Sequence, residues 1–375
     1  MDRPFVFGKA VDEANFIGRE QECERLTMNF THGINTILMS PRRWGKTSIV
    51  QRTIAKVRSK SLYVVFFDAF ACRNEYDFCN KFASEILSQT NNKLDEIKNS
   101  AGEFLMRLSP KISYSFDGGM NDWSLSLGIN SKTHKPEEVY QLPQTIASKK
   151  GIEILICIDE FQQVGNFPDS LTVQKRMRSV WQHQPNVTYC LFGSKKHMME
   201  SLFLDRSYPF YKFGDIVPLN PIEEEKWIPY ITKGFAREGK SIDESFAAKI
   251  CQMTKLNPSY IQQMAWLTLV NTYSAVTEAI IEKSFQDLLQ ENAPLFTAQT
   301  EHLTSYQLNF IRAIIRGIHK DFSKTNIREE YNLGSPTNVK RLKESLTNSE
   351  IVTTTSEGVT IADPIMEEWL KRNVL

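Results

Sequence analysis

The nine residues SPRRWGKTS, Ser40 to Ser48, decide how the first part of this chain folds. They match the phosphate-binding pattern G-x-x-x-x-G-K-[ST] at every constrained position except the first, where Ser40 replaces glycine. The apolar run INTILM (34–39) before them predicts a strand, and the periodicity of Thr47–Ser59 after them predicts an amphipathic helix. Because a strand and a helix flank the segment, we interpret it as a phosphate-binding loop and not as a basic surface turn.

The loop predicts a bound nucleotide with Mg²⁺. Its backbone N–H groups would surround the phosphates, and the N-terminus of the following helix would add a positive dipole. Lys46 would contact the terminal phosphates, the Thr47 hydroxyl would bind Mg²⁺, and Gly45 leaves room for the phosphates. A serine is small enough to form the first turn of the loop. The predicted nucleotide contacts are Ser40, Pro41, Arg42, Arg43, Trp44, Gly45, Lys46, Thr47 and Ser48.

Apolar strands alternate with amphipathic helices through the first two thirds of the chain. This alternation predicts an α/β fold in which helices cover both faces of a parallel sheet. An insertion at 110–132 has alternating residues around the turn DGGMND and predicts a β-hairpin. The predicted strands are 34–39, Leu62–Phe67, Ile152–Ile158 and Asn186–Gly193, and the predicted helices are Thr47–Ser59, Glu75–Thr90 and Leu171–Gln182.

An acidic pair follows the predicted strand ILICI. Asp159 and Glu160 stand at its carboxyl end, which is the edge where open α/β sheets bind ligands. Asp159 would hold Mg²⁺, directly or through water, and Glu160 would polarise the water that attacks the nucleotide. An acidic pair alone is often a solvated strand end. Together with the loop, the pair predicts ATP hydrolysis by a P-loop NTPase.

Two further strand ends carry polar residues. Ser194 follows the strand TYCLFG, where its hydroxyl would contact the γ-phosphate or the attacking water as a sensor. An equal alternative is that Ser194 caps the next helix, and the two roles are compatible. Asp68 follows the strand LYVVFF and either faces the nucleotide or caps the strand. For Asp68 we favour the structural interpretation.

The strand pattern stops after Pro218. Helical periodicity then predicts a small lid domain over 219–295, which follows a P-loop ATPase core over 1–218. Residues 296–375 predict three helices, a short hairpin and a final helix, which is the arrangement of a winged helix-turn-helix domain.

The predicted recognition helix of this last domain begins SPTNVKRLK. Its Lys340, Arg341 and Lys343 suit phosphate contacts on duplex DNA. Residues 301–375 contain as many acidic as basic residues, so the electrostatic attraction to DNA is modest. Winged helices also bind proteins, and both DNA and a protein partner therefore stay open for this domain.

The composition is that of a globular protein without a bulk charge. Lysine plus arginine total 45 against 44 aspartate plus glutamate, and the apolar runs are too short to cross a bilayer. The start of the chain lacks the apolar core of a signal peptide. The six cysteines form no C-x-x-C pair, which indicates free thiols in a reducing compartment. We therefore expect a cytoplasmic protein without a membrane partner.

Several of these segments together resemble one family. FIGREQECERL, SPRRWGKTS, ICIDEF, LFGS and YPFYKFG follow one another as in archaeal-type predicted ATPases of the AAA+/STAND branch, which are related to origin-recognition ATPases. The resemblance implies an adenine-side pocket, a nucleotide-contacting proline in the lid and a cationic finger. For the finger it points to Lys212, or to Arg206 just upstream. For adenine it implicates Phe7, Phe16, Ile17 and Gly18, for which core packing is a compatible role, and for the lid it implicates Pro258.

The chain departs from the family pattern at three points. Ser40 and Leu256 stand where relatives usually have glycine. Lys212 stands where many have arginine, whose planar guanidinium stabilises developing charge better. The resemblance, with these departures, implies slow Mg²⁺-dependent ATP hydrolysis that acts as a nucleotide-driven switch for the winged helix. Two alternatives stay open: a non-hydrolysing nucleotide-binding adaptor, and a DNA-binding regulator with a structural nucleotide. The expected ligands are ATP and ADP. Duplex DNA, a protein partner and self-association stay open as further interactions.

Overall fold

The computed structural model describes residues 4–9, 11, 15–59, 61–90, 115–117, 124–126, 135–355 and 357–373. These residues belong to two compact units. The sheet unit comprises Arg19–Asn220, and the helical unit comprises the residues up to Gly18 together with those from Pro221 onward. Each unit has a hydrophobic core of its own.

A five-stranded parallel sheet forms the centre of the sheet unit. Its strands are β1 (Thr36–Met39), β2 (Leu62–Asp68), β5 (Glu153–Asp159), β6 (Val187–Gly193) and β7 (Asp215–Pro218), and the short strands β3 (Ser115–Asp117) and β4 (Ser124–Ser126) form a separate pair. The order in the sheet is β2-β5-β6-β1-β7. Strands β5 and β6 are buried along almost their whole length, as in sheets covered on both faces. The predicted α/β fold class is confirmed.

Six α-helices of the sheet unit are described. They are α1 (Glu20–Thr31), α2 (Lys46–Val57), α3 (Glu75–Thr90), α4 (Pro136–Lys150), α5 (Ser170–Trp181) and α6 (Lys196–Leu204). A 3₁₀ helix, Phe161–Asn166, follows β5. The Trp181 ring stacks on Tyr189 with centroids 4.3 Å apart, and it also stacks on Phe82 at 5.9 Å. These aromatic contacts pack α3 and α5 together and fix α5 against β6.

Strand β7 is the one strand of the parallel sheet that the sequence pattern does not predict. It has four residues and ends in proline, so it shows too few positions for a period to be recognised. It pairs with β1, and helix α1 supports it through two side chains. Arg25 Nε and Asn29 Nδ2 each donate a 2.8 Å hydrogen bond to Asp215.

The predicted insertion contains an antiparallel strand pair. Strand β3 pairs with β4 in the register Ser115↔Ser126, as the alternation of residues on either side of a turn predicts. Of the turn DGGMND, only Asp117, the last residue of β3, belongs to the described residues.

The helical unit contains a four-helix part and a winged helix. The former comprises α7 (Glu224–Arg237), α8 (Glu244–Met253), α9 (Pro258–Asn271) and α10 (Glu278–Thr300), and the latter comprises α11 (Ser305–Ile315), α12 (Thr325–Glu330), α13 (Pro336–Asn348), β8 (Val352–Thr355), β9 (Gly358–Ile361) and α14 (Pro364–Asn373). Helix α10 runs without interruption through the position where the sequence places a domain boundary, at 295/296. In the described part of the chain, no helix combines the length and the apolar content that crossing a membrane requires.

The N-terminal segment packs in the helical unit. Phe5 is buried among the rings of Tyr230 and Phe235, with centroids 5.8 and 5.9 Å away. A Cβ on Gly234 would lie 2.6 Å from the Phe5 ring, so only glycine at this position of α7 leaves room for it. The backbone N–H of Val6 donates a 2.9 Å hydrogen bond to a side-chain oxygen of α9, and these contacts together anchor the segment on α7 and α9.

Candidate nucleotide site and winged-helix surface

The SPRRWGKTS loop follows β1 directly and leads into α2. Gly45 has a φ of 83°, which favours glycine, and a Cβ placed there would meet no described atom within 4 Å. Arg43 also has a left-handed φ, of 64°, whereas Ser40 does not. The first position of the loop therefore does not need the conformational freedom of glycine. This explains why serine is compatible with the loop geometry.

The Lys46 ammonium lies inside the loop. Its Nζ donates hydrogen bonds to the carbonyl oxygens of Ser40, at 3.0 Å, and Pro41, at 2.7 Å, and also lies 3.3 Å from the Ser40 hydroxyl. Lys46 and Ser40 are both buried. Serine thus supplies an acceptor that glycine lacks, and it helps to hold the ammonium over the N-terminus of α2, where an anion would bind.

The Thr47 hydroxyl joins the loop to β5. It donates a 3.0 Å hydrogen bond to Oδ2 of Asp159, 112 residues further along the chain. Burial raises the pKa of Asp159 to about 6, because the hydrogen bonds from Thr47 and from the Glu160 backbone only partly offset the loss of water. A hydroxyl and a carboxylate are hard oxygen ligands, and this pair fits Mg²⁺.

Glu160 occupies a strained backbone position beside this pair. Its φ is 53°, and its N–H donates a 2.8 Å hydrogen bond to Oδ1 of Asp159. Its Oε2 accepts hydrogen bonds from the Ser194 hydroxyl, at 2.9 Å, and from Gln162 Nε2. Arg42 Nε in turn lies 3.3 Å from the Ser194 hydroxyl. The loop, the end of β5 and the end of β6 therefore meet at one carboxylate.

Ser194 does not cap the helix that follows it. The N-cap of α6 is Lys195, and no side chain caps that end. The Ser194 hydroxyl is engaged with Glu160 instead, so it lies between the two motifs as the sensor interpretation predicts. Asp68, in contrast, is exposed and accepts a 2.7 Å hydrogen bond from the Phe70 N–H, which agrees with the structural interpretation.

Two residues near the site were missed by sequence reasoning. Gln162 touches Glu160, and no local pattern distinguishes it from the neighbouring Gln163. Arg19 is buried and donates hydrogen bonds to the carbonyl oxygens of Asn220, at 2.7 Å, and Trp44, at 3.5 Å. A buried arginine must hold specific acceptors, but the sequence does not show that Arg19 is buried.

The winged helix exposes one face of α13. Thr337, Lys340, Arg341 and Glu344 are all exposed along it. The Lys340 side chain is 79% exposed, with its ammonium 3.9 Å from the Glu344 carboxylate. Lys343 is half-buried at the flank of this face. The predicted basic residues thus lie on or beside an accessible surface that also carries an acid.

Comparisons with known proteins agree with this architecture. The family model described as "Probable winged helix domain" matches residues 294–372. A Walker-type ATPase of Pyrococcus abyssi superposes with a TM-score of 0.69 at 16% identity, over 98% of this chain and 99% of that chain. The chain has the fold of a Walker-type ATPase with a winged-helix domain. The suspected resemblance is confirmed at the level of the fold.

Two origin-recognition proteins share this ATPase fold. The ORC2 protein of Aeropyrum pernix, solved as ADPNP–ADP complexes, matches with a TM-score of 0.56 at 15% identity, over 99% of this chain and 98% of that one. The ORC1 protein of the same organism, solved in complex with DNA, matches with a TM-score of 0.50 at 14% identity, over 100% and 98%. A search of curated protein sequences gives no match.

The residues that the resemblance assigns to adenine and to the lid lie in the helical unit of this ATPase fold. Phe7 is 38% exposed, and Phe16 and Ile17 are half-buried. Gly18 has a φ of 60°, and a Cβ there would lie 2.5 Å from the Ile222 side chain. Pro258 is half-buried in the first turn of α9.

The structure also describes the other positions that the resemblance singles out, Leu256 and the two candidate finger residues. Leu256 has a φ of 57°, in the left-handed region that favours glycine, which is the residue that the resemblance implies at this position. The candidate finger residues Arg206 and Lys212 are both exposed. Within the described residues, no hydrogen bond or ion pair connects either of them to Glu160 or Asp159.

Proposed function

We propose that this chain binds ATP with Mg²⁺ at the Ser40–Ser48 loop, hydrolyses it slowly, and uses the nucleotide state to control its winged helix. The observation that carries the proposal is the 3.0 Å hydrogen bond between Thr47 and Asp159. It brings the predicted Mg²⁺ ligands of two distant motifs together beside the buried ammonium of Lys46. The ADPNP–ADP complexes of the ORC2 relative support ATP as the ligand.

Binding uses groups that are already in place. The γ- and β-phosphates would replace the carbonyl oxygens of Ser40 and Pro41 as partners of Lys46, while the first N–H groups of α2 donate to the same phosphates. Thr47 and Asp159 would hold Mg²⁺, which neutralises phosphate charge. The raised pKa of Asp159 would fall when the cation is bound, because a nearby positive charge favours the carboxylate.

Hydrolysis would depend on Glu160. Its carboxylate would take a proton from a water molecule as the water oxygen attacks the γ-phosphorus and the bond to the ADP oxygen breaks. Ser194, bonded to both Glu160 and Arg42, would sense the γ-phosphate. Arg206 and Lys212 lack a described contact with the site, and an ATPase without a placed cationic finger is slow.

Coupling would run through the helical unit. Pro258, the lid residue that the resemblance implicates in nucleotide contact, begins α9. Two polar contacts join this region to the winged helix. Tyr260 donates to Asp363, and Lys255 forms a 2.7 Å ion pair with Glu367. The ORC1 relative solved in complex with DNA supports duplex DNA as the partner of the exposed face of α13.

The experiment is to measure ATP turnover with Mg²⁺, in the presence and absence of duplex DNA. Saturable, Mg²⁺-dependent turnover that DNA changes supports the proposal. Tight ATP binding without turnover would make the chain a nucleotide-binding adaptor. DNA binding of equal affinity in the ATP-bound and nucleotide-free states would make the nucleotide structural and the chain a DNA-binding regulator.

A further inference from the structure

Gln162 is a buried glutamine that contacts the proposed catalytic carboxylate. It lies in the 3₁₀ helix after β5 and is 3% exposed. Its Nε2 donates to Oε2 of Glu160, the same oxygen that accepts the 2.9 Å hydrogen bond from Ser194. Among the described residues, no donor reaches the other oxygen, Oε1. The two donors therefore make the two oxygens of Glu160 inequivalent.

The orientation of the Gln162 amide follows from its partner. If the amide were reversed, its carbonyl oxygen would face an oxygen of the Glu160 carboxylate, and the two acceptors would repel each other. In the observed orientation, Oε1 of Gln162 is buried and has no donor within the described part of the chain. An unpaired buried acceptor lowers stability, so the amide is not explained by its contribution to folding.

Gly193 provides the space for this side chain. A Cβ at position 193 would lie 1.6 Å from Oε1 of Gln162 and 2.8 Å from its Cδ. Gly193 has no left-handed φ, so the close approach of Gln162, not the backbone conformation, demands glycine here. The amide of Gln162 thus lies between Gly193, at the end of β6, and the Glu160 carboxylate.

We infer that Gln162 is a positioning residue for the hydrolysis proposed above, on which this inference rests. Gln162 and Ser194 hold Oε2 of Glu160, and the free Oε1 is the oxygen that takes the proton from water. The proton passes from water to Oε1, the water oxygen bonds to the γ-phosphorus, and the bond from phosphorus to the ADP oxygen breaks. Without Gln162 the carboxylate rotates and presents Oε1 to the water for a smaller fraction of the time.

The test is Gln162→Met, which keeps the length of the side chain and removes the donor. We expect kcat for ATP to fall by about tenfold, the scale of partial loss of a positioned base. The Kd of ATP by calorimetry should change less than about twofold, because no described hydrogen bond joins Gln162 to the Ser40–Ser48 loop. Gln163→Met is the matched control, because the Gln163 side chain accepts a 3.1 Å hydrogen bond from Asn166 and has no described bond to the Glu160 carboxylate. The kcat of this variant should equal that of the wild type.

A double-mutant cycle separates positioning from a structural role. In a Glu160→Gln background, Gln162→Met should cause no further fall in kcat, because its effect acts through Glu160. Gly193→Ala should displace the Gln162 amide from Glu160, because the added Cβ would occupy the space of that amide, and kcat should again fall. The melting temperature of this variant shows whether it is folded. An unchanged or higher kcat in Gln162→Met, or an additive loss in the Glu160→Gln background, would overturn the inference. Absence of turnover in the wild type would instead overturn the proposed function, and this inference with it.

Discussion

The Tyr260 hydroxyl donates a 2.5 Å hydrogen bond to Oδ2 of Asp363. The other oxygen of Asp363 accepts from the N–H groups of Ile365, at 2.9 Å, and Met366, at 3.0 Å, at the start of α14. One carboxylate thus caps the last helix of the winged helix and holds the first turn of α9. The four-helix part and the winged helix are joined by a specific polar contact in addition to their shared apolar core.

Tyr260→Phe should lower the free energy of unfolding by about 1.5–3 kcal/mol, the usual contribution of a hydrogen bond to a charged group. Tyr260 is fully buried, so water does not replace the lost hydroxyl. The measurement is the urea unfolding midpoint. Tyr273→Phe is the matched control, because the Tyr273 side chain is 96% exposed and the change should have no effect. Equal midpoints for the two variants would contradict the prediction.

Lys46→Ala should weaken ATP binding by about 10- to 100-fold, because it removes a charge-assisted contact to phosphate. The helix α2 should stay folded, since alanine is a good helix former. Isothermal calorimetry measures the change. Lys56→Ala is the control, because Lys56 is exposed on the same helix. Wild-type affinity in a folded Lys46→Ala protein would refute the nucleotide site.

Glu160→Gln should lower ATP turnover by a factor on the order of 10² or more, the scale of losing a general base. The amide keeps the size of the side chain, so ATP should bind as in the wild type. Phosphate release under saturating ATP is the assay. Glu153→Gln, at the exposed start of the same strand, should turn over ATP normally. If Glu160→Gln kept the wild-type rate, Glu160 would be a solvated strand end.

The contribution of Asp159 to the stability of the metal-free and nucleotide-free protein should fall as pH rises from about 4 to about 6. Burial raises the pKa of Asp159 from 3.8 to about 6, so in this window the folded state binds more protons than the unfolded state. Ionising Asp159 in the fold then costs about 3 kcal/mol. Urea unfolding of the wild type and Asp159→Asn across this range isolates the effect. The two proteins should diverge between pH 4 and 6, and parallel curves would contradict the raised pKa.

Replacing Lys340, Arg341 and Lys343 together by alanine should weaken duplex DNA binding and flatten its salt dependence. Each phosphate contact that is lost reduces the slope of log affinity against log salt by about one. Fluorescence titration of a labelled duplex at several salt concentrations measures both quantities, and ATP affinity should not change.

Glu344→Gln tests the same face of α13 with an expected effect of the opposite sign. Glu344 is exposed beside Lys340, so removal of its charge should strengthen DNA binding if this face meets phosphates. Identical salt dependence in the wild type, the triple variant and Glu344→Gln would exclude this face as the DNA contact. A wild type with no salt-dependent DNA binding would favour a protein partner for the winged helix.

Much of the candidate site was predicted from local patterns. The loop, the acidic pair after β5 and Ser194 after β6 were expected at one sheet edge, and the structure brings them together. Parallel strands place their carboxyl ends at the same edge, so a residue's position relative to its strand is enough to group these side chains. The left-handed conformation of Leu256 could not be predicted, because leucine does not favour it and only the surrounding fold imposes it.

Local sequence was thus sufficient for the strand–loop–helix order, the α/β class and the winged helix, because periodicity and turn chemistry depend on residues close together in the chain. The tertiary structure alone decided the roles of Gln162 and Arg19 and the formation of β7. Arg19 reaches Asn220, 201 residues away, and Gln162 depends on the space that Gly193 leaves. Such contacts join distant segments whose spacing the sequence does not encode locally, and they exist only after the sheet unit has packed.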